Sequence, residues 1–144
     1  MKDKFFLDTN ILIYSFDDAS PGKQEIANHL IKTALLESKG CISYQVIQEF
    51  LNVATKKFTP PLTVVDCQRY LDSVLQPLCQ IFTSIALYHK ALDLMARWQY
   101  SFYDSLILAA ALQADCKILY SEDLKHEQSI NSLTIINPFQ SIAC

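Results

Sequence analysis

The chain has 144 residues, 51% of them hydrophobic and 19% charged, with a net charge of −3. That is one ordinary domain with apolar material for a well-filled core and for a partner surface besides, and its charge disfavours a dedicated nucleic-acid binder unless several acids are gathered in one metal site. Gly22 and Gly40 are the only glycines, which excludes a Gly-rich phosphate loop, and the scattered cysteines Cys41, Cys67, Cys79, Cys116 and Cys144 exclude a disulfide framework or a zinc ribbon.

Phe5, Phe6 and Leu7 predict a short strand buried on both faces, and Asp8, Thr9 and Asn10 follow it at once. In an open parallel sheet the carboxyl ends of the strands are where ligands bind, so Asp8 is the first candidate site residue. Ile11 to Phe16 predict a short helix and Asp17 to Gly22 a loop. Ser20 and Pro21 open a helix with an apolar stripe from Ile26 to Leu35, for which Gly40 is the expected stop. Cys41 and Ile42 make a second strand. Ser43 is placed to cap the next helix, whose apolar face includes Val46, Ile47, Phe50, Leu51 and Ala54 and which carries Glu49.

Thr63 and Asp66 open a helix expected to reach Leu75, with Pro77 ending the region. Leu78 to Phe82 is a third strand. Ser84 starts a helix with Ile85, Tyr88, Leu92 and Met95 on one face. The helix beginning near Tyr103 or Asp104 is apolar nearly all round from Leu106 to Leu112, which predicts burial in the domain centre. Lys117 to Tyr120 is a fourth strand, followed by Ser121, Glu122 and Asp123, and Leu133 to Ile136 is a fifth. Helices alternating with short buried strands predict an α/β class with a mainly parallel five-stranded sheet. The apolar runs are too short to span a bilayer and the first one stops at Asp8, so no membrane partner and no secretory signal are expected. The thiols read as reduced and the location as cytoplasmic.

Such a sheet gathers Asp8, Glu49, Asp104 and Asp123, with Glu122 as an auxiliary acid. Crowded carboxylates raise one another's pKa, and a divalent cation relieves that repulsion. Hard oxygen ligands without His or Cys favour Mg²⁺ or Mn²⁺, ions that activate water and stabilise phosphoryl displacement.

Phe-Leu-Asp8-Thr9-Asn10-Ile-Leu, Val-Ile-Gln-Glu49-Phe, Tyr103-Asp104-Ser105-Leu-Ile-Leu-Ala-Ala-Ala and Tyr120-Ser121-Glu122-Asp123-Leu, in this order, resemble the PIN-domain ribonucleases, and within them the VapC-like toxins of bacterial toxin–antitoxin pairs. The resemblance extends to the closing Ile-Ile-Asn137-Pro138-Phe139. It implies a single three-layer α/β/α PIN domain over residues 1–144 and a Mg²⁺- or Mn²⁺-dependent endoribonuclease whose metal-binding and catalytic carboxylates are Asp8, Glu49, Asp104 and Asp123. Thr9, Asn10, Ser121 and Glu122 support that site. Its implied partners are an RNA substrate and a cognate antitoxin, and a homodimer is expected as well. Glu127 departs from the pattern, because relatives with this ending often carry Gly there.

Other readings accompany each residue. Asp104 suits a helix N-cap, and Glu49 suits a solvated helix face. His89 and Asp93 read as a surface contact. His126 reads as a phosphate contact or a loop residue. Lys56, Lys57 and Lys125 read as phosphate contacts or ordinary solvated lysines. Trp98, Tyr100, Phe102 and Tyr103 read as core or dimer packing, or as a platform for bases. A PIN-like RNA- or protein-binding module without catalysis is the alternative function. A phosphatase using Asp8 as nucleophile is disfavoured, since Asn10 stands where a second Asp is needed.

Overall fold

The structure, a computed structural model, describes residues 3–140. Phe5–Leu7 form β1, and all three residues are buried, as a strand covered on both faces requires. Asp8 ends the strand and caps α1 (Thr9–Tyr14), its carboxylate accepting from the Thr9 N–H. A carboxylate is thus held where strand gives way to helix.

Pro21 stands at the start of α2 (Pro21–Glu37). The turn that ends α2 is made by Ser38 at φ 54°, and Gly40, the expected stop, instead opens β2 (Gly40–Ser43). Position 40 requires glycine because of close approach. A Cβ there would stand 2.2 Å from the Ala34 Cβ and 2.8 Å from the Phe5 ring.

α3 (Tyr44–Lys56) follows β2 directly. α4 (Val64–Tyr70) is capped by Thr63, whose hydroxyl accepts from the Asp66 N–H. It runs on through a π-helical segment, Leu71–Leu75, into α5 (Gln76–Leu78), past the expected end at Leu75. Pro77, the second residue of α5, follows directly on the π-helical segment. β3 (Cys79–Ile81), α6 (Ile85–Trp98) and α7 (Phe102–Gln113) come next. β4 (Ile118–Tyr120), β5 (Ser129–Ile130) and β6 (Leu133–Ile136) complete the order.

The sheet has six strands in the order β3-β2-β1-β4-β6-β5, one more than the five expected. The additional strand is β5, the only antiparallel member among the described residues, paired with β6 through Ile130 and Leu133. Two residues are too few to display an alternation, and the turn that creates the pairing depends on Asn131 at φ 55°. The other pairings are parallel. The chain winds outward from β1 to β2 and β3, then returns on the opposite side of β1 as β4. The strand order therefore reverses between β1 and β4, where parallel sheets open a ligand crevice at their carboxyl edge.

Helices cover both sides of the sheet. Ser105 through Ala111 of α7 are all buried, in keeping with that helix's apolar circumference. α7 packs on α6 and on the sheet, whereas α1 packs on α2 and α3. α6 turns Leu87, Ala91 and Leu94 inward. Its other apolar face, Ile85, Tyr88, Leu92 and Met95, is exposed. Both faces of α6 are apolar, and the small Ala91 lets the inner one approach α7 closely.

Candidate active site

Asp8 lies at the switch point, only 6% exposed. Its Oδ1 accepts from the Thr9 N–H at 2.7 Å and its Oδ2 from the Ser121 hydroxyl at 2.7 Å. The Asp8 N–H in turn donates to the Tyr120 carbonyl at 3.0 Å, extending the β1–β4 pairing into the site. Burial pushes the Asp8 carboxyl up to about 7; the bonds from Ser121 and Thr9 oppose that rise, and the charges of Asp123 and Glu49 add to it.

Thr9 is itself buried, and its hydroxyl donates to Glu49 Oε1 at 2.6 Å. Gln45, one helical turn before Glu49, donates to Glu49 Oε2 at 3.2 Å and to the Tyr103 carbonyl at 3.1 Å. Glu49 is consequently half-buried and held at both oxygens, not free on a solvated face. Through Gln45 it is also tied to the residue that precedes Asp104.

Asp104 is not the N-cap of α7. Ser101 takes that part, its hydroxyl accepting from the Asp104 N–H at 3.1 Å. Asp104 sits in the first turn with no capping duty, and its pKa is raised by burial and by Asp123 and Glu49, against the lowering effect of Ser101.

Asp123 is exposed. Its Oδ2 accepts from Asn10 Nδ2 at 3.2 Å, and its N–H donates to the Ser121 hydroxyl at 3.1 Å. Ser121 is fully buried and joins Asp8 to the Asp123 backbone through one oxygen. Asn10 completes the loop by accepting from the Glu122 N–H at 3.3 Å. The Glu122 side chain turns to Tyr14 and Lys23, each at 2.6 Å.

Asp8 and Asp104 each feel the charges of Asp123 and Glu49, so the four acids share one electrostatic neighbourhood. They do not form a ready-made cage: among the described residues no three His, Cys, Asp or Glu side chains converge closely enough to hold a metal ion. The donor chemistry nevertheless fits a hard dication: the donors are all carboxylate oxygens, and the ionisation of Asp8 is opposed by burial and by the charges of Asp123 and Glu49, a cost that a bound cation would offset. Among the described residues the buried side-chain oxygens of Ser43, Gln45 (Oε1), Tyr70 and Ser105 lack partners, and Gln45 and Ser105 lie in the helices that carry Glu49 and Asp104.

The remaining candidates stand elsewhere. His126 Nδ1 accepts from the Asn137 N–H at 2.9 Å and Nε2 is 3.3 Å from Glu127, which ties His126 to the chain beyond β6. Glu127 adopts φ 67°, the left-handed conformation that suits glycine. His89 and Asp93 are exposed on α6. Lys56 and Lys57 lie about two turns beyond Glu49 and Lys125 two residues past Asp123, all exposed. Trp98, Tyr100 and Phe102 are half-buried against the core, and Tyr103 is exposed beside Asp104. Cys41, Cys67 and Cys116 are buried free thiols and Cys79 is half-buried; Cys144 lies outside the described residues. Sequence reasoning missed Gln45, Tyr14 and Lys23. Gln45 had a signal in its spacing from Glu49, and the other two had none.

The model of the PIN domain family matches residues 5–128. The chain belongs to the PIN-domain family. No curated protein matches it. Solved structures with the same fold include a toxin–antitoxin complex from Klebsiella pneumoniae, at 22% identity and TM-score 0.64, covering 94% of this chain and 98% of that one. DNA-bound VapBC from Salmonella typhimurium is 21% identical at TM-score 0.62, covering 93% and 97%. VapC20 from Mycobacterium tuberculosis, described as a sarcin–ricin loop cleaving toxin, is 18% identical at TM-score 0.59, covering 83% and 90%. At these identities the likeness shows a shared PIN fold. No helix among the described residues is long and apolar enough to cross a membrane.

A raised Asp8 pKa has a definite consequence for stability. Between the ordinary carboxyl value of 3.8 and about 7 the folded protein holds a proton that the unfolded chain releases, so the Asp8 contribution is complete below 3.8 and is lost as pH rises through 7. Asp8→Asn, neutral throughout, is expected to stabilise the metal-free protein at pH 8 by on the order of 2 kcal/mol, with the gain shrinking toward pH 4. Urea unfolding across this range measures it; a destabilised variant at pH 8 would show that Asp8 is comfortable as an anion.

Proposed function

We propose that this PIN-domain protein is a Mg²⁺- or Mn²⁺-dependent endoribonuclease, acting as one domain and as the cytoplasmic toxin of a toxin–antitoxin pair. The observation that carries this reading is Asp8, a buried carboxyl at the sheet's switch point whose ionisation is opposed by burial and by Asp123 and Glu49. The described activity of VapC20 and the toxin–antitoxin complexes among the similar structures support the same reading.

In this proposal Asp8, Glu49, Asp104 and Asp123 hold the ion. The chemistry such an ion would supply there is neutralisation of charge on the phosphodiester and acidification of the attacking water. The chain's own residues orient the ligands: Ser121 and the Thr9 N–H fix Asp8, Thr9 and Gln45 fix Glu49, and Asn10 restrains Asp123. Lys125, exposed close to Asp123 in the chain, is the assigned phosphate contact for RNA.

The apolar excess supplies partner surfaces. Phe16 is shared by two clefts, one of about 930 Å³ with Ile13, Val53, Phe58 and Leu62, the other of about 540 Å³ with Ile31, Leu35 and Tyr70. An amphipathic helix of an antitoxin is the proposed occupant. A second copy of the chain is assigned to the exposed face of α6, where Ile85 and Leu92 are 71% and 51% exposed.

RNA cleavage by the purified protein in Mg²⁺ or Mn²⁺ should fall on the order of 100-fold or more in Asp8→Asn and Asp104→Asn. Expression without a partner should arrest growth. Equal cleavage by wild type and variants would sink the mechanism, and absence of metal-dependent cleavage would leave a PIN fold serving as a binding module. Light scattering tests the self-association separately: wild type should run as a dimer and Ile85→Glu/Leu92→Glu as a monomer, whereas an unchanged mass would remove α6 from the interface.

A further inference from the structure

We propose that Lys23, Glu122 and Tyr14 form a clamp that positions Asp123, which makes them positioning residues of the carboxylate site although none of them is a ligand. This inference rests on the reading of Asp123 as a metal-binding carboxylate. Asp123 needs such support: it is exposed and lies between β4 and β5, and among the described residues its carboxylate accepts one side-chain hydrogen bond, from Asn10.

Its neighbour Glu122 is anchored much more heavily. Tyr14 donates to Glu122 Oε1 and Lys23 to Oε2, both at 2.6 Å, so each carboxylate oxygen has its own donor. Lys23 also donates to the Tyr14 hydroxyl at 3.2 Å, and its ammonium lies 4.6 Å from the centre of the Tyr14 ring and 5.6 Å from that of Phe139. Those two rings meet edge to face at 4.9 Å. The pair is half-buried, with both side chains 26% exposed, and a cation set against two aromatic rings is less screened than a surface ion pair. The clamp joins α1, α2 and the turn after β6 to the loop that carries Asp123.

The arrangement has two consequences for the site. Holding the Glu122 side chain, while its N–H is held by Asn10, fixes the backbone from which Asp123 projects. Pairing Glu122 with Tyr14 and Lys23 also gives each of its carboxylate oxygens a donor of its own, which turns the side chain away from competition for the same cation. A second-layer residue that orients a ligand typically changes metal affinity 10- to 100-fold.

The test compares the full-length wild type with Glu122→Ala, Glu122→Gln, Lys23→Met and Lys23→Arg, each first checked for native circular dichroism. Hydrogen exchange of residues 121–125 without added metal reads the clamp itself, and calorimetric titration with Mn²⁺ reads its effect on the site. Glu122→Ala and Lys23→Met should exchange about tenfold faster in that segment, with β1 and α7 unchanged, and should bind Mn²⁺ about tenfold more weakly. Lys23→Arg should keep both properties, and Glu122→Gln, which retains an acceptor for Tyr14, should fall between. Wild-type exchange in Glu122→Ala and Lys23→Met, or faster exchange with unchanged Mn²⁺ affinity, would overturn the proposal. A wild type that binds no Mn²⁺ would refute the proposed function, and the exchange comparison would still decide whether the clamp exists.

Discussion

The site depends on one constraint: a carboxyl group is buried where the sheet reverses its strand order. β1 lies between β2 and β4, and the residue that leaves it is Asp8, capping α1 with one oxygen and taking the Ser121 hydroxyl with the other. Those two bonds favour ionisation, but desolvation outweighs them, and the charges of Asp123 and Glu49 add to it. The arrangement around Asp8 follows from this conflict. Thr9 bonds Glu49, and Asn10 bonds both Asp123 and the Glu122 backbone, so the three residues after β1 set much of the site's geometry.

Much of this was legible in the sequence, for identifiable reasons. Three apolar residues before Asp8 suit a strand covered on both faces, and the nearly all-apolar stretch of α7 from Leu106 to Leu112 suits burial in the domain centre. Positions immediately after such strands fall at the carboxyl edge of a parallel sheet whatever the loops do, which brought Asp8 and Asp123 to attention. Less legible were features set by tertiary contact. Glu122 carries a carboxylate as Asp123 does, but its orientation is decided by Lys23, 99 residues away in the chain. Gly40 looked like a helix stop, yet it is demanded by the proximity of Ala34 and Phe5. β5 was invisible because two residues carry no period.

The apolar excess was the other strong signal, and the fold divides it in two. One part fills the core between sheet and helices, and the rest remains outside, on the outer face of α6 and around Phe16. α6 shows why pattern alone could not say which face turned inward, because both faces are apolar and the smaller one met α7. In the proposed function the outer surfaces serve a second copy and an antitoxin.

In the proposed function Asp8 holds its proton below about pH 7 while no cation is bound and gives it up when one binds. Calorimetric titration of Mn²⁺ at pH 6 in buffers of different ionisation enthalpy counts the protons released. With the Asp8 pKa at about 7, the expected result is release of about one proton per bound ion at pH 6, falling toward zero at pH 8 and abolished in Asp8→Asn. Mn²⁺ binding with no proton released at pH 6 would contradict the account.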